Sequence, residues 1–351
     1  MMEQEKYREL ISGRTKGLVA LFLRFILTIA AIGYQTAIKI RNLLYDRGLL
    51  KPKVAKAVVI SIGNITAGGT GKTPLVTWLC DLIAKKNIKC AILTRGYKTK
   101  QGELSDEPAQ LAKNCPGFEV VVNPDRTAGA AKAIKDYNAK ILIMDDGFQH
   151  RRLSRDLDIV TIDATNPFGF GKTLPAGLLR EPLKGLKRAD AAVITRTDQV
   201  SPEKLISIEA KLRYIKLSLI LARATHTPES IIGPDGQSQP VDQFRDKKVF
   251  AFCGIGNPEA FFTTLEKLNI TQTGREIFND HHSYTDDDIA EIRQKAAICG
   301  AELILTTEKD FGKIVGLIED AEQISFAYLA VTLEIIAGKD KITQLIESRL
   351  Q

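Results

Sequence analysis

Residues 67–73 read Ala67-Gly68-Gly69-Thr70-Gly71-Lys72-Thr73, and this glycine-rich stretch decides the fold. It follows the apolar run 57–62 and precedes an apolar segment that begins at Pro74, which gives the order strand, glycine-rich turn, helix. Glycines let the backbone curl so that successive N–H groups face phosphate oxygens, and the helix adds its positive N-terminal end. In such a loop Lys72 reaches the β- and γ-phosphates and the Thr73 hydroxyl binds Mg²⁺. The stretch therefore predicts a nucleotide-phosphate site, with an ordinary glycine-rich turn as the alternative.

This loop fits neither of its two common subtypes. The strict pattern has a glycine five positions before Gly71, where this chain has Thr66. The variant loop of partitioning and membrane-cycling ATPases has a lysine where Ala67 stands. The class of nucleotide protein therefore depends on the rest of the chain.

Length and composition indicate an ordinary globular protein of two domains. The chain has 351 residues, of which 44% are hydrophobic and 26% charged, with a net charge of +7. Basic residues crowd one segment, namely Lys39, Arg41, Arg47, Lys51, Lys53 and Lys56. This placement favours an anionic membrane surface as a partner over nucleic acid, for which no basic patch with interleaved aromatic residues is present. The five cysteines form no C-x-x-C pair and are expected to be buried thiols in a reducing compartment.

The N-terminal region contains a long apolar stretch. Residues 18–32 are apolar apart from Arg24 and Thr28. As a helix these residues extend about 22 Å, which is short of a hydrocarbon core of roughly 30 Å. A longer helix would span the bilayer but would bury Arg24 in lipid at a high cost. We expect a helix that lies in or dips into one leaflet, and a spanning helix or one packed on the protein's own domain stays open.

Strand and helix patterns alternate along most of the chain. Apolar runs predict strands at 57–62, 90–94, 119–122, 141–144, 159–163 and 191–195, with helices between them. This order predicts an α/β fold with a doubly wound, mostly parallel sheet. We expect a membrane-associated segment at 1–50, a phosphate-loop domain at 51–200, a linker with β-type segments at 201–245 and a smaller α/β domain at 246–351. The last helix is a candidate to pack back on the first domain.

Polar residues that follow the predicted strands supply candidates for chemistry. Asp145 and Asp146 end a buried strand, where a nucleotide enzyme places its magnesium carboxylate. Because adjacent strand residues point to opposite sides, we expect one of the two to face the metal, and which one stays open. Asp106 lies near the carboxyl edge of the sheet and is either a general base or a helix N-cap.

Two further groups of residues are candidates with equally plain structural alternatives. Arg126 and Arg180 could grip phosphate in a bidentate manner or form surface salt bridges. His281 and His282 follow Asp280 in a polar loop, where they could serve a site or the local structure.

Short polar and glycine-containing motifs occur along nearly the whole chain. They are Gly63-Asn64-Ile65-Thr66-Ala67-Gly68-Gly69-Thr70-Gly71-Lys72-Thr73-Pro74, Arg95-Gly96-Tyr97, Asp106-Glu107-Pro108, Asp145-Asp146-Gly147-Phe148-Gln149-His150, Leu174-Pro175-Ala176-Gly177, Leu179-Arg180-Glu181-Pro182, Asp280-His281-His282 and Thr307-Glu308-Lys309-Asp310. With these motifs the chain resembles the tetraacyldisaccharide 4′-kinase (LpxK) family, the lipid A kinases of Gram-negative bacteria.

The resemblance implies transfer of the ATP γ-phosphate to the 4′-hydroxyl of an acylated glucosamine disaccharide 1-phosphate at the cytoplasmic face of the inner membrane. It implies two α/β domains with the active site in the cleft between them. ATP is expected on Thr66, Ala67, Gly68, Gly69, Thr70, Gly71, Lys72 and Thr73, and Mg²⁺ on Thr73, Asp145 and Asp146.

The resemblance also implies roles for residues outside the loop. By similarity, Asp106 is the general base and His281 its partner, while His282 is structural. Arg126, Arg180 and Glu181 match family positions at the acceptor and phosphate side. The alternative function is a membrane-associated switch ATPase with the same type of loop, which would hydrolyse ATP without a glycolipid acceptor.

Overall fold

Parallel strands alternate with helices in the order that the apolar runs predict. The structure is a computed structural model that describes residues 2–96, 106–280, 282–318 and 324–350. In these ranges the strands are β1 Val58–Asn64, β2 Cys90–Thr94, β3 Glu119–Val122, β4 Ile141–Asp145, β5 Leu157–Asp163, β6 Ala191–Thr195, β7 Ile220–Ile232, β8 Ser238–Pro240, β9 Lys248–Cys253, β10 Thr271–Ile277, β11 Leu303–Thr307 and β12 Ser325–Ala337. The helices are α1 Met2–Ser12, α2 Leu18–Asp46, α3 Lys72–Ala84, α4 Asp106–Asn114, α5 Arg126–Tyr137, α6 Pro202–Ile215, α7 Pro258–Lys267, α8 Asp286–Ile298, α9 Glu308–Ile314 and α10 Lys339–Leu350.

The larger of two compact units comprises Glu5–Thr225 and Leu333–Gln351. Its strands lie in the order β3-β2-β4-β1-β5-β6-β7, and each neighbouring pair is parallel. The strands β4, β5 and β6 are buried along their whole length. Near-continuous apolar runs are what a parallel sheet covered on both faces requires. The central strand β1 leads directly into the phosphate loop.

Helix α10 at the C-terminal end and helix α6 both pack into the core of this unit. The α10 side chains Ile342 and Ile346 are fully buried and pack in one cluster with Ile60 of β1 and Leu79 of α3. The segment 201–245, which the sequence suggests is a linker, contains α6 and β7. Helix α6 belongs to the larger unit, because Leu205, Ile208 and Leu212 pack in the cluster that includes Val160 and Ile162.

The smaller unit comprises Met1–Gln4 and His226–Thr332. Its strands lie in the order β10-β9-β11-β12-β7, with β8 antiparallel to β7. Helix α8 begins with a capping box in which Thr285 and Asp288 bond reciprocally, a strong helix start. The strands β7 and β12 each contribute residues to both units.

The N-terminal helix α2 is longer than the apolar stretch predicts. It runs from Leu18 to Asp46, and it is long and apolar enough to cross a membrane by length and composition. One side of it packs on the larger unit, where Ala20 and Ala31 are buried. Arg24 does not point away from the protein: its Nη1 donates to the carbonyls of Thr15 (2.8 Å) and Leu10 (3.4 Å).

All five cysteines are free thiols, of which four are buried as expected. The exception is Cys299, which directly follows α8 and is exposed.

Candidate active site

The phosphate loop is seated between the carboxyl ends of β1 and neighbouring strands. The Ala67 N–H donates to the Leu178 carbonyl at 2.7 Å, and Thr66 forms a bridge with Leu179. Gly71 precedes α3 with a left-handed backbone (φ 83°), which glycine adopts without strain. No side chain caps the start of α3. The first N–H groups of this helix are therefore available to an anion.

Asp145 and Asp146 lie beside this loop because β4 pairs with β1. Asp145 is the last residue of β4 and is paired in register with Ile62, two residues before the end of β1. Asp146 lies just after the end of β4 and has a left-handed backbone with φ 51°. The alternation expected of adjacent strand residues therefore does not apply to this pair. Asp145 is 5% exposed, whereas the Asp146 side chain is 31% exposed.

Asp146 brings two of the predicted cations together. Its Oδ1 lies 3.5 Å from Lys72 Nζ, and Arg180 Nη1 donates to both of its carboxylate oxygens at 2.7 and 2.8 Å. Burial alone would raise the pKa of the Asp146 carboxyl, but Lys72 and Arg180 outweigh burial and lower this pKa to about 2. Asp146 is thus ionised at neutral pH and pairs with Lys72 and Arg180, two side chains of the kind that binds phosphate.

The oxygen groups near the loop fit a magnesium ion that arrives with a nucleotide. Mg²⁺ prefers oxygen ligands and is usually held by one or two carboxylates, with substrate phosphates and water completing its shell. Asp145, Asp146 and the Thr73 hydroxyl supply this type of donor. Within the described ranges, no group of three or more His, Cys, Asp or Glu side chains could hold a metal ion.

Arg126 supports the end of β4 from the first turn of α5. It is 4% exposed, and its guanidinium donates to the carbonyls of Asn123 (3.0 Å) and Asp145 (3.1 Å). Burial lowers the pKa of Arg126, and Asp145 and Asp146 oppose this shift. Arg126 thus binds the backbone that carries the two aspartates.

Glu181 is enclosed rather than open to a ligand. Its side chain is 0% exposed and accepts from Arg188 Nη2 at 2.9 Å on both oxygens. Gln149 Nε2 and Asn42 Nδ2 donate to the same carboxylate at 3.1 and 3.2 Å. Since Asn42 belongs to α2 and Gln149 follows the two aspartates, Glu181 joins the N-terminal helix to the candidate site.

Two predicted residues fall where the structure gives no side chain. Asp106 is the first residue of α4, and its side chain lies outside the described residues. His281 lies outside the described residues altogether. Of its neighbours, His282 places Nε2 at 3.1 Å from Asp288 Oδ2, and Lys309 Nζ donates to Asp280 Oδ1 at 3.1 Å.

Sequence reasoning missed several polar residues that hold the loop. The Thr70 hydroxyl accepts from Asn64 Nδ2 at 3.0 Å and bonds the Thr161 hydroxyl at 2.7 Å. Thr195 and Arg196 at the end of β6 bond to carbonyls of the loop. The available signal was that β5 and β6 each end in polar residues at the edge where a doubly wound sheet binds ligands.

Comparison with known proteins gives this arrangement a family. A family profile described as tetraacyldisaccharide-1-P 4′-kinase matches residues 23–351. The chain belongs to this family. The tetraacyldisaccharide 4′-kinase of Halothermothrix orenii is 38% identical over 317 residues, which are 82% of each protein. That of Geobacter sulfurreducens is 35% identical over 325 residues, covering 88% of this chain and 89% of the relative.

A solved structure agrees with the fold. The crystal structure of LpxK from Aquifex aeolicus in complex with ATP is 32% identical in sequence and superposes with a TM-score of 0.73. The match covers 94% of this chain and 100% of that chain. The predicted family and the predicted mostly parallel α/β fold with an apolar N-terminal helix are therefore confirmed.

Proposed function

We propose that this kinase transfers the γ-phosphate of ATP to the 4′-hydroxyl of a tetraacylated glucosamine disaccharide 1-phosphate, a step of lipid A biosynthesis. The observation that carries the proposal is the contact of Lys72 and Arg180 with Asp146 beside an uncapped helix start. This arrangement supplies the cradle, the metal carboxylates and the neutralising cations that phosphoryl transfer needs. The names of the relatives supply the acceptor.

In this proposal Asp146 holds Lys72 and Arg180 in place until ATP arrives. Both cations are side chains that bind phosphate, and the negative charge of the γ-phosphate competes with the carboxylate for them. They then neutralise the charge that develops on the transferred group. Bound Mg²⁺ would supply charge neutralisation between the phosphates. Arg126 keeps Asp145 oriented through its carbonyl, as a positioning residue.

Asp106 remains the proposed general base, with His281 as its partner. Both roles come from the family resemblance. Asp106→Ala should lower kcat by about a hundredfold or more, the usual range for a lost acid–base group, while the Kd for ATP stays nearly unchanged. Asp136→Ala, which removes an exposed carboxylate of α5, is the matched control and should leave both values unchanged.

The double variant tests whether the two residues act as a unit. If they do, Asp106→Ala with His281→Ala should be hardly slower than Asp106→Ala alone, because residues of one unit are strongly non-additive. If Asp106→Ala keeps its turnover, Asp106 is not the general base. If the losses in the double variant are additive, His281 does not act together with Asp106.

We also propose that α2 places the enzyme on an anionic membrane, as expected at the cytoplasmic face of the inner membrane. The helix exposes a stripe at helical spacing, comprising Leu18 (85%), Phe22 (62%), Phe25 (62%), Ile29 (55%) and Ile32 (60%). The opposite side bonds to the protein: Tyr34 donates to the Arg180 carbonyl at 2.7 Å, and Thr173 donates to the Ala31 carbonyl at 3.4 Å. A helix held along one side favours a position within one leaflet over a free span.

Flotation with lipid vesicles tests this membrane proposal. Wild type should float with vesicles that contain anionic lipid, and Phe22→Ser with Phe25→Ser should float much less, because apolar burial drives insertion. Tyr214→Ser removes an aromatic side chain of α6 that is even more exposed (91%), and it should not change flotation. If the Phe22→Ser, Phe25→Ser variant floats as well as Tyr214→Ser, α2 is not the membrane anchor.

A further inference from the structure

Three carbonyls of the phosphate loop are held by side chains of the surrounding sheet. Arg196 Nη1 donates to the Gly69 carbonyl at 3.0 Å, and the Thr195 hydroxyl donates to the Thr70 carbonyl at 3.0 Å. Asn64 Nδ2 reaches the Gly68 carbonyl at a longer 3.4 Å. In a trans peptide the carbonyl and the next N–H point in opposite directions. Holding these carbonyls toward the sheet therefore turns the following N–H groups away from it, toward the face where phosphate would bind.

Arg196 is placed for this contact by an unusual local backbone. It is the residue directly after β6, with φ 54°, a left-handed conformation that strains a non-glycine residue. The residue is only 8% exposed. The strained turn directs its guanidinium back across the end of the sheet toward the loop.

Asp163, the last residue of β5, holds the same guanidinium. Its Oδ2 accepts a short hydrogen bond from Arg196 Nη1, the nitrogen that also donates to Gly69. The two side chains are 10% and 7% exposed, so the pair is shielded from solvent. A buried arginine without a carboxylate would be costly, and Asp163 removes that cost while fixing the direction of the donor.

We propose that Arg196, oriented by Asp163, is a positioning residue for ATP. It holds the Gly69–Thr70 peptide so that the Thr70 N–H faces the nucleotide phosphates. This inference rests on the proposed ATP role of the loop. Arg196 itself does not contact the phosphates, because its guanidinium is buried and bonded to the loop and to Asp163.

The chain contains a matched control for the test. Arg155 and Asp158 form a buried ion pair of the same kind, with Nη2 and Oδ2 2.9 Å apart and side chains 9% and 7% exposed. Asp158 lies near the start of β5, whereas Asp163 lies at its end, beside the loop. Removing either arginine leaves a buried carboxylate, so both variants should lose comparable stability.

The experiment measures ATP affinity and turnover of the full-length Arg196→Met and Arg155→Met proteins, with urea unfolding of each. We expect Arg196→Met to raise the Kd and KM for ATP about tenfold or more, the effect of one lost hydrogen bond to a charged group. Its KM for the glycolipid acceptor should stay the same. Arg196→Lys, which keeps the charge, should recover part of the affinity. Arg155→Met should be destabilised without a change in the KM for ATP.

The measurements distinguish a failure of the Arg196 proposal from a failure of the proposed ATP role of the loop. If Arg155→Met raises the KM for ATP as much as Arg196→Met, or if neither raises it, the positioning role is wrong. Should Arg196→Met not fold, Asp163→Asn replaces it, and an unchanged Kd for ATP in that variant also overturns the proposal. Lys72→Ala runs in parallel: if it keeps full ATP binding and turnover, the assignment of the loop itself fails.

Discussion

Glu181 is the buried carboxylate on which several parts of the larger unit depend. Glu181→Ala leaves Arg188 and two amide donors without their acceptor in a site closed to water. We expect a loss of about 3–5 kcal/mol in the free energy of unfolding, measured with urea. Glu347→Ala breaks the exposed Lys86–Glu347 pair (2.6 Å) and should cost less than about 1 kcal/mol. Similar small losses in both variants would show that Glu181 does not hold this network.

His150, four residues after Asp146, makes stability depend on pH. Burial lowers its pKa to about 4, and Arg126 and Arg152 add to this shift. Between pH 6.5 and 4 the unfolded chain binds a proton that the folded chain does not bind, so the folded state loses stability as the pH falls through this window. Urea midpoints from pH 7 to pH 5 should therefore fall more steeply for wild type than for His150→Gln. Parallel curves would contradict a depressed pKa.

At the residue scale, the sequence indicates which side chains can do chemistry better than it indicates which side chains they contact. The motifs make Lys72, Arg180 and Asp146 candidate site residues, and the structure brings them into contact. That Glu181 is fully enclosed could not be read from the sequence. Its enclosure depends on Arg188, Gln149 and Asn42, which come from distant points of the chain.

Strand β1 and the turn after β4 are packed so closely that one glycine determines their separation. A Cβ at Gly63 would lie 2.6 Å from the Phe148 Cβ and 2.7 Å from the Phe148 backbone nitrogen. Gly63→Ala must therefore push the segment that follows Asp145 and Asp146 away from the loop. We expect a loss of about 1–3 kcal/mol in stability together with reduced kcat.

The control is Gly33→Ala, a glycine of α2 with open space where a Cβ would be. Alanine favours a helix over glycine, so this variant should be neutral or slightly more stable in the same urea assay. If Gly63→Ala were as stable and as active as Gly33→Ala, the packing of β1 on residue 148 would be wrong.

At the element scale, apolar runs predict the strands of the larger unit closely, because a parallel sheet buried on both faces needs them. The apolar pattern does not predict that α2 extends to Asp46. Its second half is held by contacts rather than by hydropathy: Arg151 donates to the Asn42 carbonyl at 3.1 Å and to Asp46 at 2.7 Å. A hydropathy pattern does not contain these long-range bonds.

The larger unit is built from both ends of the chain, so the phosphate loop depends on residues near position 346. Ile346 is fully buried against β1 and α3, the elements on either side of the loop. Ile346→Ala should lower the free energy of unfolding by about 2–5 kcal/mol, and saturating ATP should recover part of that loss by binding the folded state. Ile206→Ala, at a 63% exposed position of α6, should be near neutral. If ATP raises the melting temperature of neither Ile346→Ala nor Ile206→Ala, nucleotide binding by this unit is contradicted.

Alternation of strands and helices predicts two α/β units, and the last helix is a candidate to pack back on the first. The pattern does not predict which side chains that helix contacts. In the structure, Leu333 and Ile335 of β12 and Ile342 and Ile346 of α10 pack in the core of the larger unit. Local sequence patterns carry no information about such pairing over more than two hundred residues.

The proposed kinase activity is tested by transfer of labelled γ-phosphate from Mg·ATP to a tetraacylated glucosamine disaccharide 1-phosphate in detergent micelles. Wild type and Lys72→Ala would be compared, with labelled lipid and free phosphate measured together. We expect a labelled bisphosphorylated lipid from wild type and a loss of that product in Lys72→Ala. Release of free phosphate by wild type without labelled lipid would contradict this activity and would favour a switch ATPase.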